Sequence, residues 1–515
     1  MQLSRTLLLL LAFGAAPVAG EGGRLAERVA NGTLDFGHPA VAALRGPAGT
    51  ACSAVLVGCR TALTAAHCFC EDPATGQPFS AAECAARPEL LAPAGWSLFF
   101  QHGGELPLAK IDIAPDYAFG TRSDLAVLHL AGPVEGVTPL PLRTGATPAA
   151  GSSATVVGFG RAAGADDRGL KRSGRVTLGA CSAVPSTGNL CWDFAEPLPP
   201  AGDAANACDG DGGGPLLLDE AGVSTVGGIV SGGTSPSCQP PDQSWASDVA
   251  TDATWIAAQA GADLGATSCG GLTPVGTAGA TVAFASGDLS GSTPELRSSL
   301  VVPAGTARLR VAVHGDEVGR IATFTDFDLY LQTPGLPSPT SWTCRSAGAS
   351  VYELCDVVAP AAGTWNVLLS RDTGAGAYQI VATRFDKVVS TCTAGETTLC
   401  IDDATADQRF KVQVDFYSTR NGGFVGQGRA IGLASLGVTR GGLFWFFDAG
   451  NPELLVKVLN GCGINDRYWV YLTAGTDVGY TVLVTDTRTG ISRLYRNTDG
   501  IPAPPVQDVD ALPCH

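Results

Sequence analysis

The chain is 515 residues long, 45% hydrophobic and only 16% charged, with 67 Gly and 33 Pro. It is too long for one core, too apolar for a disordered protein and too rich in turn formers for a helical bundle, so about three all-β domains are expected. A formal charge of −16 repels phosphate backbones and anionic lipid, which argues against nucleic acid as a partner.

Residues 1–20 carry Arg5, the apolar run Leu7 to Phe13 and small residues ending Val18-Ala19-Gly20, the layout of a cleaved signal peptide. The protein is therefore expected to be secreted, to the extracellular space, periplasm or cell surface. No later stretch approaches about 18 uninterrupted apolar residues, so no membrane span is expected. In an exported chain the 16 cysteines favour disulfides over metal sites. Few lysines beside abundant Ala and Gly are the bias of a GC-rich genome and point to a bacterial source.

A short pro-segment, 21–28, precedes a region over 29–260 in which runs of Val, Leu, Ala and Ile are broken by Gly, Pro and Asp, the signals of strands and turns. Residues 261–275 thin to Gly, Ala and Thr around Cys269, the composition of a linker. Alternating segments such as Leu309 to Val313 and Tyr378 to Ala382 then predict a second all-β stretch over 276–386. Strands at Phe410 to Val414, Leu454 to Leu459 and Tyr480 to Val484 predict a third all-β block over 388–515, which with its aromatic runs Phe444 to Phe447 and Tyr468 to Tyr471, expected mainly as core, resembles a small β-sandwich appended to exported bacterial proteins. Cys344 with Cys355, Cys392 with Cys400 and Cys462 with Cys514 fall together in these modules.

Three segments carry chemistry. Thr61-Ala62-Leu63-Thr64-Ala65-Ala66-His67-Cys68 follows Cys52 by 16 residues at its last position, Asp124 opens the apolar run Leu125 to Leu130, and Cys208-Asp209-Gly210-Asp211-Gly212-Gly213-Gly214-Pro215 is a glycine-rich turn. In this order they resemble the histidine, aspartate and nucleophile motifs of the trypsin-like (chymotrypsin-fold) serine proteases. The resemblance spans about residues 29–260 and implies a double β-barrel with His67 as base, Asp124 as its orienting carboxylate, and Gly210 and Gly212 N–H groups as oxyanion donors. It further implies disulfides Cys52–Cys68, Cys181–Cys191 and Cys208–Cys238. Cleavage after Arg28 would free a Val29 amino group to meet Asp211. Asn206 would form the pocket floor, Ser231 part of the substrate-backbone strand although Gly232 replaces the family's Trp, and Gly233 the pocket wall. Without an aspartate at the floor, no strong preference for Arg or Lys is indicated. Cys59, Cys70, Cys84 and Cys269 are left with three possible pairings.

The departure from the family is Gly212, where its members carry the nucleophilic serine. A serine hydroxyl attacks only by giving its proton to an imidazole, and removing it from a comparable hydrolase triad lowers turnover about 2 × 10⁶-fold, about 8–9 kcal/mol of barrier. The expectation is a secreted trypsin-like endopeptidase homologue that binds peptide or protein but is catalytically impaired, without cofactor or metal. An active enzyme in which residue 212 is a variant or an error, and a surface binder acting through its C-terminal modules, are the alternatives. Residues 276–386 resemble the pre-peptidase C-terminal type β-sandwich of secreted bacterial proteases, on Asp326-Phe327-Asp328-Leu329-Tyr330, Pro360 to Val367 and Gly376-Ala377-Tyr378, which implies a β-sandwich there. Asp326 and Asp328 are expected to end a strand rather than to hold Ca²⁺.

Overall fold

The structure, a computed structural model, describes residues 29–514 apart from 73–74, 162–167, 267–268, 318–324, 387–390, 404–406 and 421–422. The signal peptide, the pro-segment and Arg28 lie outside the described residues.

Small and β-branched runs build two closed barrels. The first orders its strands Val41–Gly46, Gly49–Leu56, Thr61–Thr64, Ala126–Leu130, Gly104–Ile113 and Ser97–Phe100, the last returning to the first. The second runs Ser153–Gly158, Arg172–Gly179, Asn189–Phe194, Asp242–Asp248, Val223–Gly233 and Pro215–Glu220, closed by Pro215–Glu220 on Ser153–Gly158. Every pairing is antiparallel, and inward residues such as Val55, Leu63 and Val127 are fully buried. Closure leaves no open sheet edge within either barrel.

Two sandwiches follow. The first stacks the sheet Ala280–Leu289, Gly376–Phe385, Arg308–Gly315, Glu353–Val358 against Glu295–Val302, Gly363–Thr373, Asp326–Gln332, Cys344–Ser346. The Cys344–Cys355 disulfide links its two sheets. Asp326 and Asp328 lie at the start of their strand rather than at its end, accepting bonds from Ser350 N–H and the Tyr330 hydroxyl. The second sandwich sets Thr398–Ile401, Phe410–Ser418, Gly479–Asp486 and Ser492–Asn497 against a five-stranded sheet running from Arg429–Gly432 to Val506–Pro513. Phe444, Phe446 and Tyr468 are buried in its core, while Phe447 is exposed. All sixteen cysteines pair; beyond the six bridges anticipated, the structure joins Cys59 to Cys269 and Cys70 to Cys84.

The first sandwich is fused to the barrels through a buried polar face. Strand Arg308–Gly315 alternates, but both its faces are covered: Leu309, Val311 and Val313 enter the sandwich core, and Arg308, Arg310 and His314 meet the barrel side. Arg308 pairs with Glu135 and Asp356, and Arg310 with Asp356. His314 packs among Phe99, Phe159 and Tyr352, with Nδ1 2.7 Å from the Gly169 carbonyl and Nε2 2.9 Å from the Gln101 amide nitrogen. Gln101 Oε1 in turn accepts from the fully buried Lys171, which lies 3.5 Å from Asp35. Since the Gln101 amide nitrogen donates, His314 Nε2 is an acceptor and the ring is neutral.

Burial pushes His314 and His102 down to about 3. In the window between that value and the ordinary 6.5, the unfolded chain binds more protons at these two rings, so their contribution to stability falls on acidification. Asp211 and Glu353, pushed up to about 7 by burial, act in the opposite sense, so the effect is read as a difference between proteins. Chemical unfolding of the native chain and His314→Phe at pH 6.5 and pH 5 is expected to show the variant gaining about 2 kcal/mol relative to native; a constant difference would contradict the neutral buried ring.

Candidate functional site

The cleft between the barrels gathers groups from both. His67 sits in the helical turn Ala66–Cys68, directly after strand Thr61–Thr64, and the Cys52–Cys68 disulfide staples that turn to strand Gly49–Leu56. Thr64 pairs with Ala126, so the register brings Asp124, two residues before Ala126, to the same end of the sheet. Asp124 is buried; its carboxylate accepts from His67 N–H at 2.9 Å, lies 2.7 Å from His67 Nδ1 and accepts from the Ser231 hydroxyl at 2.6 Å. Burial alone would lower the His67 pKa, but the Asp124 carboxylate overrides it and holds the ring above its ordinary value. Nδ1–H thus faces Asp124, and Nε2 faces the cleft.

Gly212 lies under that Nε2. A Cβ built there would be 2.7 Å from Nε2 and 2.9 Å from Cε1, so the imidazole occupies part of the space a side chain needs. The turn around Gly212 is otherwise formed. Ser53 N–H donates to the Gly212 carbonyl at 2.8 Å, and Ser53 Oγ donates to the Gly210 carbonyl at 2.9 Å. Gly210 has φ of +93°, open to glycine at little cost. Among the described residues neither the Gly210 nor the Gly212 N–H has an acceptor, which leaves two donors free for a developing oxyanion.

Asp211, next to this pair, is fully buried. Its oxygens accept from Gly160 N–H and Cys208 N–H, yet burial pushes its carboxyl up to about 7. Val29 is buried as well, and the Ala30 carbonyl accepts from Asn206 N–H at 2.9 Å, so the start of the described chain lies against Asn206.

The pocket differs from its sequence reading. Asn206, expected at the floor, donates to Asp242 Oδ2 at 2.6 Å and accepts from the Ser244 hydroxyl at 2.7 Å. A Cβ on Gly233 would meet the same Asp242 oxygen at 3.0 Å. The buried Asp242 carboxylate, supplied from a neighbouring strand, thus adjoins both residues expected to form the pocket, while its other oxygen accepts from Thr234 N–H, the Thr234 hydroxyl and Ser235 N–H. Sequence reasoning passed over Asp242 because the floor is read at one position, and a cross-strand neighbour leaves no local motif. It also passed over Phe119 and Trp245. Where Gly232 lacks the family's indole, Trp245 Cζ2 lies 2.8 Å and Phe119 Cζ 3.2 Å from the position of its missing Cβ. Phe119 packs edge-on to His67 with ring centres 5.3 Å apart, so these two rings rebuild an aromatic wall. The sulfurs of Cys68 and Cys70, beside His67, are both in disulfides.

The family model for trypsin matches residues 33–256, and that for the bacterial pre-peptidase C-terminal domain matches residues 296–371. Serine protease SP24D from Anopheles gambiae is 31% identical over 208 residues, which are 38% of this chain and 69% of that protein.

The Asp124 carboxylate is expected to be what holds the imidazole up. In a ring-proton NMR titration, His67 should titrate above 6.5 in the native chain and below it in Asp124→Asn, where burial is opposed only by the smaller fields of Glu71 and Asp209. An unchanged midpoint would sever the two groups.

Proposed function

The chain belongs to the trypsin family of serine proteases, and from that premise we propose that it is a secreted, catalytically impaired member whose cleft binds peptide or protein segments without cutting them. The observation that carries the reading is Gly212 directly below His67 Nε2, with no hydroxyl to attack and the imidazole leaning into the vacated space. The machinery around it supports binding: an oriented base, two free oxyanion donors, an aromatic wall and a pocket with a polar base. His67, Asp124, Gly210 and Gly212 occupy the roles of base, orienting residue and donors, and only bond cleavage is missing. Secretion agrees with eight disulfides and with the lack, among the described residues, of any helix long and apolar enough to cross a membrane.

Asp242 gives the pocket a negative base, so a peptide with a cationic side chain is the preferred ligand. Cleavage after Arg28 by another protease supplies a Val29 ammonium to Asp211, which otherwise holds its charge at a cost. The working protein is then the chain that starts at Val29.

Two measurements on that chain test the reading. Peptide and casein hydrolysis should be at background for the native protein and at least about 10⁴-fold higher for Gly212→Ser; turnover by the native protein, free of contaminating enzyme, would refute impairment. Fluorescence polarisation with labelled peptides that differ only at one Lys, Ser or Leu should rank Lys first, and Asp242→Asn should lower the Lys peptide's affinity about tenfold. If no peptide binds, the binding role fails; if Leu ranks first, the assignment of Asp242 fails.

A further inference from the structure

The turn that offers Gly210 and Gly212 N–H groups is braced from outside its own barrel. Asp209, on the turn, is ion-paired with Arg168 and lies 3.7 Å from Arg161. The Arg168 side chain passes 3.4 Å from the Cβ position of Gly210, and its guanidinium also donates to the Thr50 carbonyl at 3.3 Å. Thr50 lies three residues before Ser53, the residue that holds the Gly210 and Gly212 carbonyls. Both Thr50 and Arg168 are gripped by one residue of the first sandwich. Glu317 Oε2 accepts from Thr50 N–H at 2.7 Å, and Glu317 N–H donates to the Arg168 carbonyl at 2.8 Å. The grip is reinforced next to it, where the Tyr352 hydroxyl lies 2.7 Å from Thr50 Oγ1 in a fully buried contact and Arg45 stacks over the Tyr352 ring at 4.2 Å.

We propose that Glu317 is a positioning residue for the cleft, through which the first sandwich holds the turn of Asp209 to Gly212 in its donor-forming shape. The sandwich is on this account part of the binding site rather than a tethered appendage. The turn is closed by bonds of its own, Asp211 N–H to the Cys208 carbonyl and Cys208 N–H to the Asp211 carboxylate, but among the described residues none of them holds the Gly210 or Gly212 N–H, and with φ of +93° at Gly210 the braces on Thr50 and Arg168 add the restraint that keeps both donors pointing one way. The inference rests on the assignment of these two N–H groups as the donors of the cleft. It does not require that Gly212→Ser turn over.

Hydrogen–deuterium exchange on the native full chain reads it directly. In Glu317→Ala, amides in peptides covering 208–213 should exchange about tenfold faster, while those of the distant sheet at Phe410–Ser418 stay unchanged. Glu317→Asp, which keeps the charge but falls one methylene short of Thr50, should behave like the alanine variant. Glu317→Gln, which keeps an acceptor at the right reach, should stay near native. The Asp and Gln pair decides the matter if the alanine variant folds poorly. Because Arg168 lies on the same path, Arg168→Gln should loosen the turn and make Glu317→Ala add little more. Native exchange at 208–213 in Glu317→Asp, or equal loosening in the Asp and Gln variants, would overturn the proposal even if peptides bind as expected; conversely, loss of peptide binding by the native chain would leave these exchange results untouched.

Discussion

The Asp124 carboxylate is the point on which the cleft depends. It is buried, it cannot donate, and it takes hydrogen bonds from the first barrel through His67 and from the second through Ser231. Its own N–H donates to Ser247 Oγ, again across the barrels. A buried carboxylate left without partners is costly, by about 3–5 kcal/mol when one is removed, so the two barrels are registered to one another where the chemistry of this fold is placed. That requirement persists whether or not the chain cleaves anything, which gives a physical reason for an oriented histidine to remain above a glycine.

Removing a serine side chain subtracts an oxygen and leaves the rest of such a site standing. The donors of the turn are backbone groups and do not depend on the side chain at 212, while Asn206, Asp242, Phe119 and Trp245 come from other segments of the chain. What changes is local: the imidazole settles toward the position of the missing Cβ. On the proposed reading the site holds a chain in an extended, hydrogen-bonded pose, with the attack step absent. Around it, the first sandwich is joined to the barrels by charges and imidazoles with almost no access to water, an interface more specific than a greasy one because each buried polar group demands its partner.

Motifs that are contiguous were legible in the sequence. His67, Asp124 and the turn around Gly212 are each spelled within eight residues, and the alternation of apolar residues gave the all-β class and the strands of both sandwiches. Features made by long-range pairing were not. Cys59 and Cys269 are 210 residues apart, Asp242 reaches Asn206, expected at the floor, from a later strand, and Trp245 fills the gap at Gly232 from the neighbouring strand. In Arg308–Gly315 the sequence showed alternation, which ordinarily puts the polar face in water; here that face meets the barrels, and only the partners Glu135, Gln101 and Gly169 reveal it. Glu317 has no local signal at all, since its meaning lies in touching Thr50 and Arg168.

The central claim is that the cleft is organised for acyl chemistry and lacks only an attacking oxygen. A fluorophosphonate probe reports this without any need to know a substrate, because it reacts with a serine only when a neighbouring base takes the proton and donors stabilise the oxyanion. Intact-mass and peptide mapping should show the native chain unlabelled, Gly212→Ser labelled at residue 212, and Gly212→Ser with His67→Ala unlabelled. Labelling of the native chain, or none in Gly212→Ser, would contradict the account.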